Sequence, residues 1–251
     1  MAGRLDRQDP MHYLPVAERF VSVNGEGPNA GTIAAFVRLV GCNLSCSYCD
    51  TRWACDRKCP CEWLDAIDIA RWVEETGAHR VTLTGGEPLI HPIVGDLLRI
   101  LVRGEGPKDS PVKLPDDLRV EIETNGSVSL DKIQTLLRFL PRSQAERISF
   151  TVDYKLPSSG MEPEMDLASF KSLTARDAVK FVVGDAGDLE RMREVAARLG
   201  LLGRVPVFAS PVYGQMDPAE IAAFMIENKL YDVRLQLQLH KAIWPGVERG
   251  V

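Results

Sequence analysis

Short apolar runs alternate along this chain with longer stretches whose apolar positions recur every three or four residues, the pattern of successive strand–helix units around a parallel sheet. The runs predict strands over 16–23, 34–40, 80–84, 118–123, 147–153, 178–183, 205–210 and 233–239. The amphipathic stretches predict helices over 63–76, 92–103, 130–139, 166–174, 187–199 and 217–228, the last opened by Asp217-Pro218. Gly104 to Asp117, rich in Gly, Pro and charge, reads as a surface loop. No internal repeat or linker interrupts the pattern, so the expectation is an N-terminal tail, 1–13, and a single α/β domain, 14–251.

Unusual polar groups fall just after these strands. Gly85-Gly86-Glu87-Pro88 follows the third, Thr124-Asn125-Gly126 the fourth, Asp153-Tyr154-Lys155 the fifth, Ser210-Pro211 the seventh and His240-Lys241 the eighth. Each suits a turn taken singly. Together they mark the C-terminal edge of a parallel sheet, where barrel enzymes build their sites. Composition changes little. With 251 residues, 45% hydrophobic and 26% charged, the chain can bury one sizeable core. A net charge of −5 gives no electrostatic case for nucleic acid or acidic membranes. No stretch approaches the roughly 18 apolar residues of a membrane span, and the polar opening lacks a signal peptide's apolar region, so a cytoplasmic protein is expected. Thiols stay reduced there, and all six cysteines lie between Cys42 and Cys61, which favours metal ligands or free thiols over disulfides.

Three of them form Cys42-x3-Cys46-x2-Cys49. Thiolates suit iron–sulfur clusters and zinc, and a cubane held by three leaves one iron for a non-protein ligand. A zinc knuckle remains open on spacing alone. The spacing resembles that of the radical S-adenosylmethionine (SAM) superfamily, in which the open iron of a [4Fe-4S] cluster binds SAM. Further motifs follow in order: Asn24-Gly25-Glu26-Gly27-Pro28, Phe36-Val37-Arg38, Tyr48-Cys49-Asp50-Thr51, Thr84-Gly85-Gly86-Glu87-Pro88, Glu123-Thr124-Asn125-Gly126 and Gln238-Leu239-His240-Lys241. With these the chain resembles the 7-carboxy-7-deazaguanine synthase family over roughly residues 14 to 245.

The resemblance implies a partial, TIM-like barrel of parallel strands with its site at the strand C-terminal ends. It implies ring contraction of 6-carboxy-5,6,7,8-tetrahydropterin to 7-carboxy-7-deazaguanine with loss of ammonia, in queuosine and deazapurine biosynthesis. Implied cofactors are the cluster on Cys42, Cys46 and Cys49, SAM, and magnesium at Thr51. SAM would meet Tyr48, Cys49, Asp50, Gly86, Glu87, Asn125, Asp153, Tyr154, Lys155 and Ser210, with Glu87 as countercharge to its amino group. The pterin would meet Val23, Asn24, Gly25, Glu26, Arg38, Thr84, His240 and Pro245, with Arg38 as a fork for its carboxylate. A flavodoxin or ferredoxin reductant and a homodimer are implied as well.

Several points stay open. Arg38 has a second reading as part of a barrel-mouth salt bridge, Thr51 on sequence alone reads as a cap, and Asp50 as a group that supports a ligand from behind or hydrogen-bonds the substrate. Asn24 stands where the family usually has Gln, one methylene longer. Cys55, Cys59 and Cys61 form a second group, either free thiols or an auxiliary metal site, and six residues follow Pro245. Two other classes share the cysteine loop: an activase that makes a glycyl radical on a partner, and a metal-binding protein without catalysis.

Overall fold

The structure, a computed structural model, describes residues 9–104, 106 and 110–251. The predicted tail's residues 1–8, and 105 and 107–109 of the predicted loop, lie outside the described residues. Among those described, nine strands form one sheet in the order β3-β1-β2-β4-β5-β6-β7-β8-β9. They are β1 (Leu14–Val23), β2 (Ile33–Leu39), β3 (Glu62–Leu64), β4 (Arg80–Gly85), β5 (Arg119–Thr124), β6 (Ile148–Tyr154), β7 (Ala178–Val183), β8 (Val207–Pro211) and β9 (Val233–Leu235). From β2 through β9 each pairing is parallel. β1 is antiparallel to both β2 and β3. The first two predicted strands are therefore a β-ribbon added to the edge, with loop 24–31 between them in place of a crossover helix.

Helices cover the outer face. They are α1 (Arg52–Cys55), α2 (Ala66–Thr76), α3 (Val94–Arg103), α4 (Asp131–Phe139), α5 (Arg142–Ala145), α6 (Leu167–Ser172), α7 (Ala186–Arg198), α8 (Pro218–Glu227) and α9 (Leu239–Ile243). Caps set several starts. Asp65 accepts from the amides of Ile67 and Asp68, Asp185 from Asp188, and Asp217 from Ala219. The core lies between sheet and helices, where Leu83, Ile122, Val152 and Phe181 of the strands meet Leu97, Leu98, Leu101 and Met192.

The opposite face of the parallel strands carries polar side chains instead. Thr82 and Thr84 alternate with Val81 and Leu83, Glu121 and Glu123 with Val120 and Ile122, and Thr151 and Asp153 with Phe150 and Val152. Period-two alternation thus gives the sheet a dry outer surface and a charged concave one. Its two edges do not pair with each other, but the gap is bridged. The Gly27 amide donates to Gln236 Oε1 at 2.8 Å, Gln236 Nε2 returns a bond to Gly27 O, and the Leu239 amide donates to Gly25 O at 3.1 Å. Loop 24–31 and the C-terminal segment therefore close the barrel that the strands leave open.

Candidate functional site

The concave face opens at the strand C-terminal ends into a cavity of about 530 Å³. Its walls include Arg38 of β2, Thr84 and Gly85 of β4, Glu123 of β5, Asp153 of β6 and Lys180 of β7. Register brings them together: Arg38 pairs across from Thr84, and Asp153 from Lys180. Ligand pockets span roughly 300–1,000 Å³, so the space suits a nucleoside-sized cofactor or a bicyclic substrate.

One end of the cavity is the loop from β2 to α1, where Cys42, Cys46 and Cys49 all contribute to the wall. Short bonds fix this loop. Gly41 and Cys42 donate their amides to Ala54 O and Cys55 O, Arg52 reaches the carbonyls of Cys46 and Ser47, and Ser47 is held by Ser158 O and Ser159 O. Gly86 packs against its start, and a Cβ there would lie 2.3 Å from Gly41 O. The Gly-Gly turn is thus required by the chain's own backbone. Cys42 is pulled down to about 6 and Cys49 to about 7, each chiefly by a hydrogen bond with the Cys55 thiol. Burial pushes Cys46 the other way. Thiolate is the metal-binding form, so two of the three donors are already predisposed to bind. Among the described residues no three Cys, His, Asp or Glu side chains converge on one point as a single metal ion would require. The second cysteine group does not assemble: Cys55 turns to Cys49, and the Cys59 thiol donates to Pro60 O.

Beside the cysteines, Asn125 Nδ2 lies 3.5 Å from Cys42 Sγ and 3.0 Å from Asn43 Oδ1. Tyr48 lines the wall with its hydroxyl on Val182 O. Lys155 Nζ sits 2.7 Å from Asp153 Oδ2. Burial opposes charge on Asp153, but Lys155 and Lys180 outweigh it and hold the carboxyl below its usual range. Thr51 stands at the N-cap position of α1 without making a cap bond, and its hydroxyl donates to Asp50 Oδ1 at 2.9 Å. Asp50 in turn lies 3.7 Å from Lys241 Nζ.

At the other end Glu26 is held by Lys180 at 3.1 Å, Ser210 at 3.2 Å and Gln238 at 3.4 Å. Arg38 Nε pairs with Glu18 at 2.8 Å, and among the described residues its two terminal nitrogens make no hydrogen bond within the chain. Val23, Gly25 and His240 complete this wall. A Cβ at Gly25 would lie 2.3 Å from His240 Nδ1, so a side chain there would displace the imidazole. Burial pulls His240 below its usual range, which favours neutral imidazole.

Five expected ligands stand elsewhere. Glu87 is fully buried with its carboxylate committed to the amides of Leu89 and Asn125 and the hydroxyl of Thr124, so it braces the β4 and β5 ends and is no countercharge in the cavity. Burial pushes it up to about 7. Tyr154 packs into the core against Phe170 and Phe181, because β6 alternation turns it outward from Asp153. Ser210 is buried and spends its hydroxyl on Glu26. Asn24 does not line the cavity. Its Oδ1 accepts from Thr82, its Nδ2 donates to Thr32, and it borders a separate hollow at the opposite end of the strands. Pro245 is exposed, and Val247, Glu248 and Val251 of the segment beyond it line the cavity in its place.

Among the unanticipated cavity residues, two are charges carried by strands. Lys180 is the cation between Glu26 and Asp153. Glu123 is pushed up to about 7, mainly by burial. The available signal was charge inside otherwise apolar strands, Ala178-Val-Lys180-Phe and Val120-Glu-Ile-Glu123. A parallel strand covered on both faces should not carry it without a purpose.

Comparison with known proteins identifies the family. Residues 36–154 match the radical SAM superfamily. The chain is 43% identical over 241 residues to 7-carboxy-7-deazaguanine synthase of Clostridium acetobutylicum, covering 96% of this chain and 100% of that protein. It is 36% identical to the synthase of that name from Methanospirillum hungatei, covering 92% and 85%. The crystal structure of QueE from Escherichia coli superposes with a TM-score of 0.61 at 23% identity, covering 90% of this chain and 94% of that one, which shows a shared fold.

Proposed function

The chain belongs to the 7-carboxy-7-deazaguanine synthase family of radical SAM enzymes, and from that premise we propose how its own residues divide the work. The protein is a radical SAM lyase that contracts 6-carboxy-5,6,7,8-tetrahydropterin to 7-carboxy-7-deazaguanine and ammonia, in queuosine and 7-deazapurine biosynthesis. The observation that carries the assignment of roles is that the three cysteines and the pterin-side residues line one cavity.

Cys42, Cys46 and Cys49 would hold a [4Fe-4S] cluster, and the donor chemistry fits, with two depressed thiols beside a buried third. When bound, cluster and SAM supply one electron and a carbon radical that removes hydrogen from the substrate. The protein positions and shields. Tyr48, Asn125 and the Asp153–Lys155 pair border the cluster end and would seat SAM, Lys155 meeting its carboxylate. Arg38, anchored through Nε to Glu18, would offer its terminal nitrogens to the pterin carboxylate. Glu26, held by Lys180, Ser210 and Gln238, would accept from the pterin's N–H edge, with neutral His240 alongside. Glu123, pushed up to about 7 by burial, would hold and release a proton during ring contraction. Val247, Glu248 and Val251 would keep water from the closed site.

Magnesium would sit at Thr51, whose hydroxyl faces the cavity beside Asp50, and take the rest of its shell from waters and the substrate carboxylate. Ser45 and Ser47 are exposed on the cysteine loop, so a flavodoxin or ferredoxin donor can approach the cluster there. Exposed Tyr231, Leu235 and Leu237 at and beside β9 would form the apolar contact of a homodimer. Sedimentation at micromolar concentration reads this, and a monomer rules it out.

The test is anaerobic turnover with the pterin, SAM and a low-potential reductant, with products resolved by mass. Wild type yields 7-carboxy-7-deazaguanine and ammonia, faster with added magnesium. Thr51→Val turns over slowly and without response to magnesium. Unchanged pterin overturns the assigned roles, and an unaltered magnesium response in Thr51→Val removes the ion from that site.

A further inference from the structure

Cys55 lies outside the three-cysteine spacing, yet its thiol stands among theirs. Its Sγ is 3.8 Å from Cys49 Sγ, and it lines the cavity with Cys42, Cys46 and Cys49. Backbone bonds hold it there: Cys42 N donates to Cys55 O at 3.3 Å and Gly41 N to Ala54 O at 2.8 Å, stitching α1 to the start of the cysteine loop. The other acceptors within reach of the thiol are Cys42 Sγ and Thr51 O, the latter at 3.6 Å.

We propose that Cys55 is a positioning residue that keeps its proton and donates an S–H···S hydrogen bond to Cys49 Sγ when that sulfur ligates the cluster, raising the cluster's reduction potential. The inference rests on Cys42, Cys46 and Cys49 being the ligands. As ligands Cys42 and Cys49 carry no proton, which leaves Cys55 the hydrogen-bond donor of the group. An anionic sulfur attracts that proton more strongly than the neutral carbonyl of Thr51. Reduction adds negative charge to the cluster, so a donor aimed at a ligand sulfur stabilises the reduced form more than the oxidised one. Contact with Cys49 also argues against Cys55 as a ligand itself, because sulfurs on separate irons of a cubane stand well apart.

The test compares anaerobically reconstituted wild type, Cys55→Ala and Cys55→Ser by iron count and by potentiometric titration followed by electron paramagnetic resonance. Iron per chain is expected to be equal in all three. In Cys55→Ala the ratio of reduced to oxidised cluster at a fixed potential should fall three- to tenfold, the upper end being about 59 mV for a one-electron couple. Cys55→Ser, which keeps a donor, should lie between alanine and wild type. An unmoved potential in Cys55→Ala overturns the proposal. So does loss of iron from both variants, which would make Cys55 a ligand. Wild type that binds no iron contradicts the cluster reading itself, and is thereby told apart from failure of the hydrogen bond alone.

Discussion

Glu123 keeps its proton up to about pH 7 because burial, helped by the Glu121 and Glu26 carboxylates, outweighs the pull of Lys180 and of Thr84. If its ionised form takes a proton from the bound pterin, kcat/KM rises with pH through about 7 and is flat above. Glu123→Gln keeps the shape and cannot titrate, so turnover should drop about 100-fold or more and that acid limb should vanish. A limb that survives in the variant assigns it to another group. Arg38 is tested through its two roles. Its Nε is spent on Glu18, and only a planar fork can hold that carboxylate and a substrate carboxylate together. Arg38→Lys should weaken pterin binding by roughly 1.5–3 kcal/mol in calorimetry while SAM affinity holds. Equal loss for both ligands would make Arg38 a scaffold residue.

The segment beyond Pro245 is the element whose role is least like its expectation. Val247, Glu248 and Val251 lie on the cavity wall, and the Arg249 guanidinium stacks 3.9 Å over the Trp53 ring, next to the cysteine loop. A cation–π contact at an exposed site contributes about 0.5–1 kcal/mol, enough to hold a short strap without adding much to global stability. Deleting 246–251 should raise KM for the pterin several-fold and leave the apo protein's melting temperature unchanged. A fall in melting temperature with unaltered KM would make the segment structural. Elements with long periodic patterns were readable from sequence, and β4 to β8 and the longer helices fall within about three residues of expectation. β3, α1 and α5 are three or four residues long, too short to leave a period. The alternation of 233–239 reads as one strand, but only Val233–Leu235 pairs in the ladder, because the Gln236 side chain turns to clasp Gly27 and Leu239 begins α9. Site motifs were legible where they sit on loops. Glu123 and Lys180 were not, being single charges within strands, and neither was the turning of Tyr154 and Asn24 away from the cavity, which depends on strand phase and side-chain partners.

At the scale of the whole molecule, a sheet with unpaired edges becomes a closed vessel through side chains and loops. Gln236 and Leu239 bind the β1–β2 loop, and this puts Glu26 and His240 on the wall of the same cavity that the cysteine loop lines. Among the described residues no helix is long and apolar enough to cross a membrane. The central claim is that this single cavity presents the carboxylate-bearing carbon of the pterin to the cofactor held at Cys42, Cys46 and Cys49. The most direct measurement uses pterin deuterated at that carbon in anaerobic turnover, with the recovered SAM and 5′-deoxyadenosine examined by mass spectrometry. Deuterium in the deoxyadenosyl group is the predicted result. Product formed while the deoxyadenosyl group stays unlabelled would contradict the account.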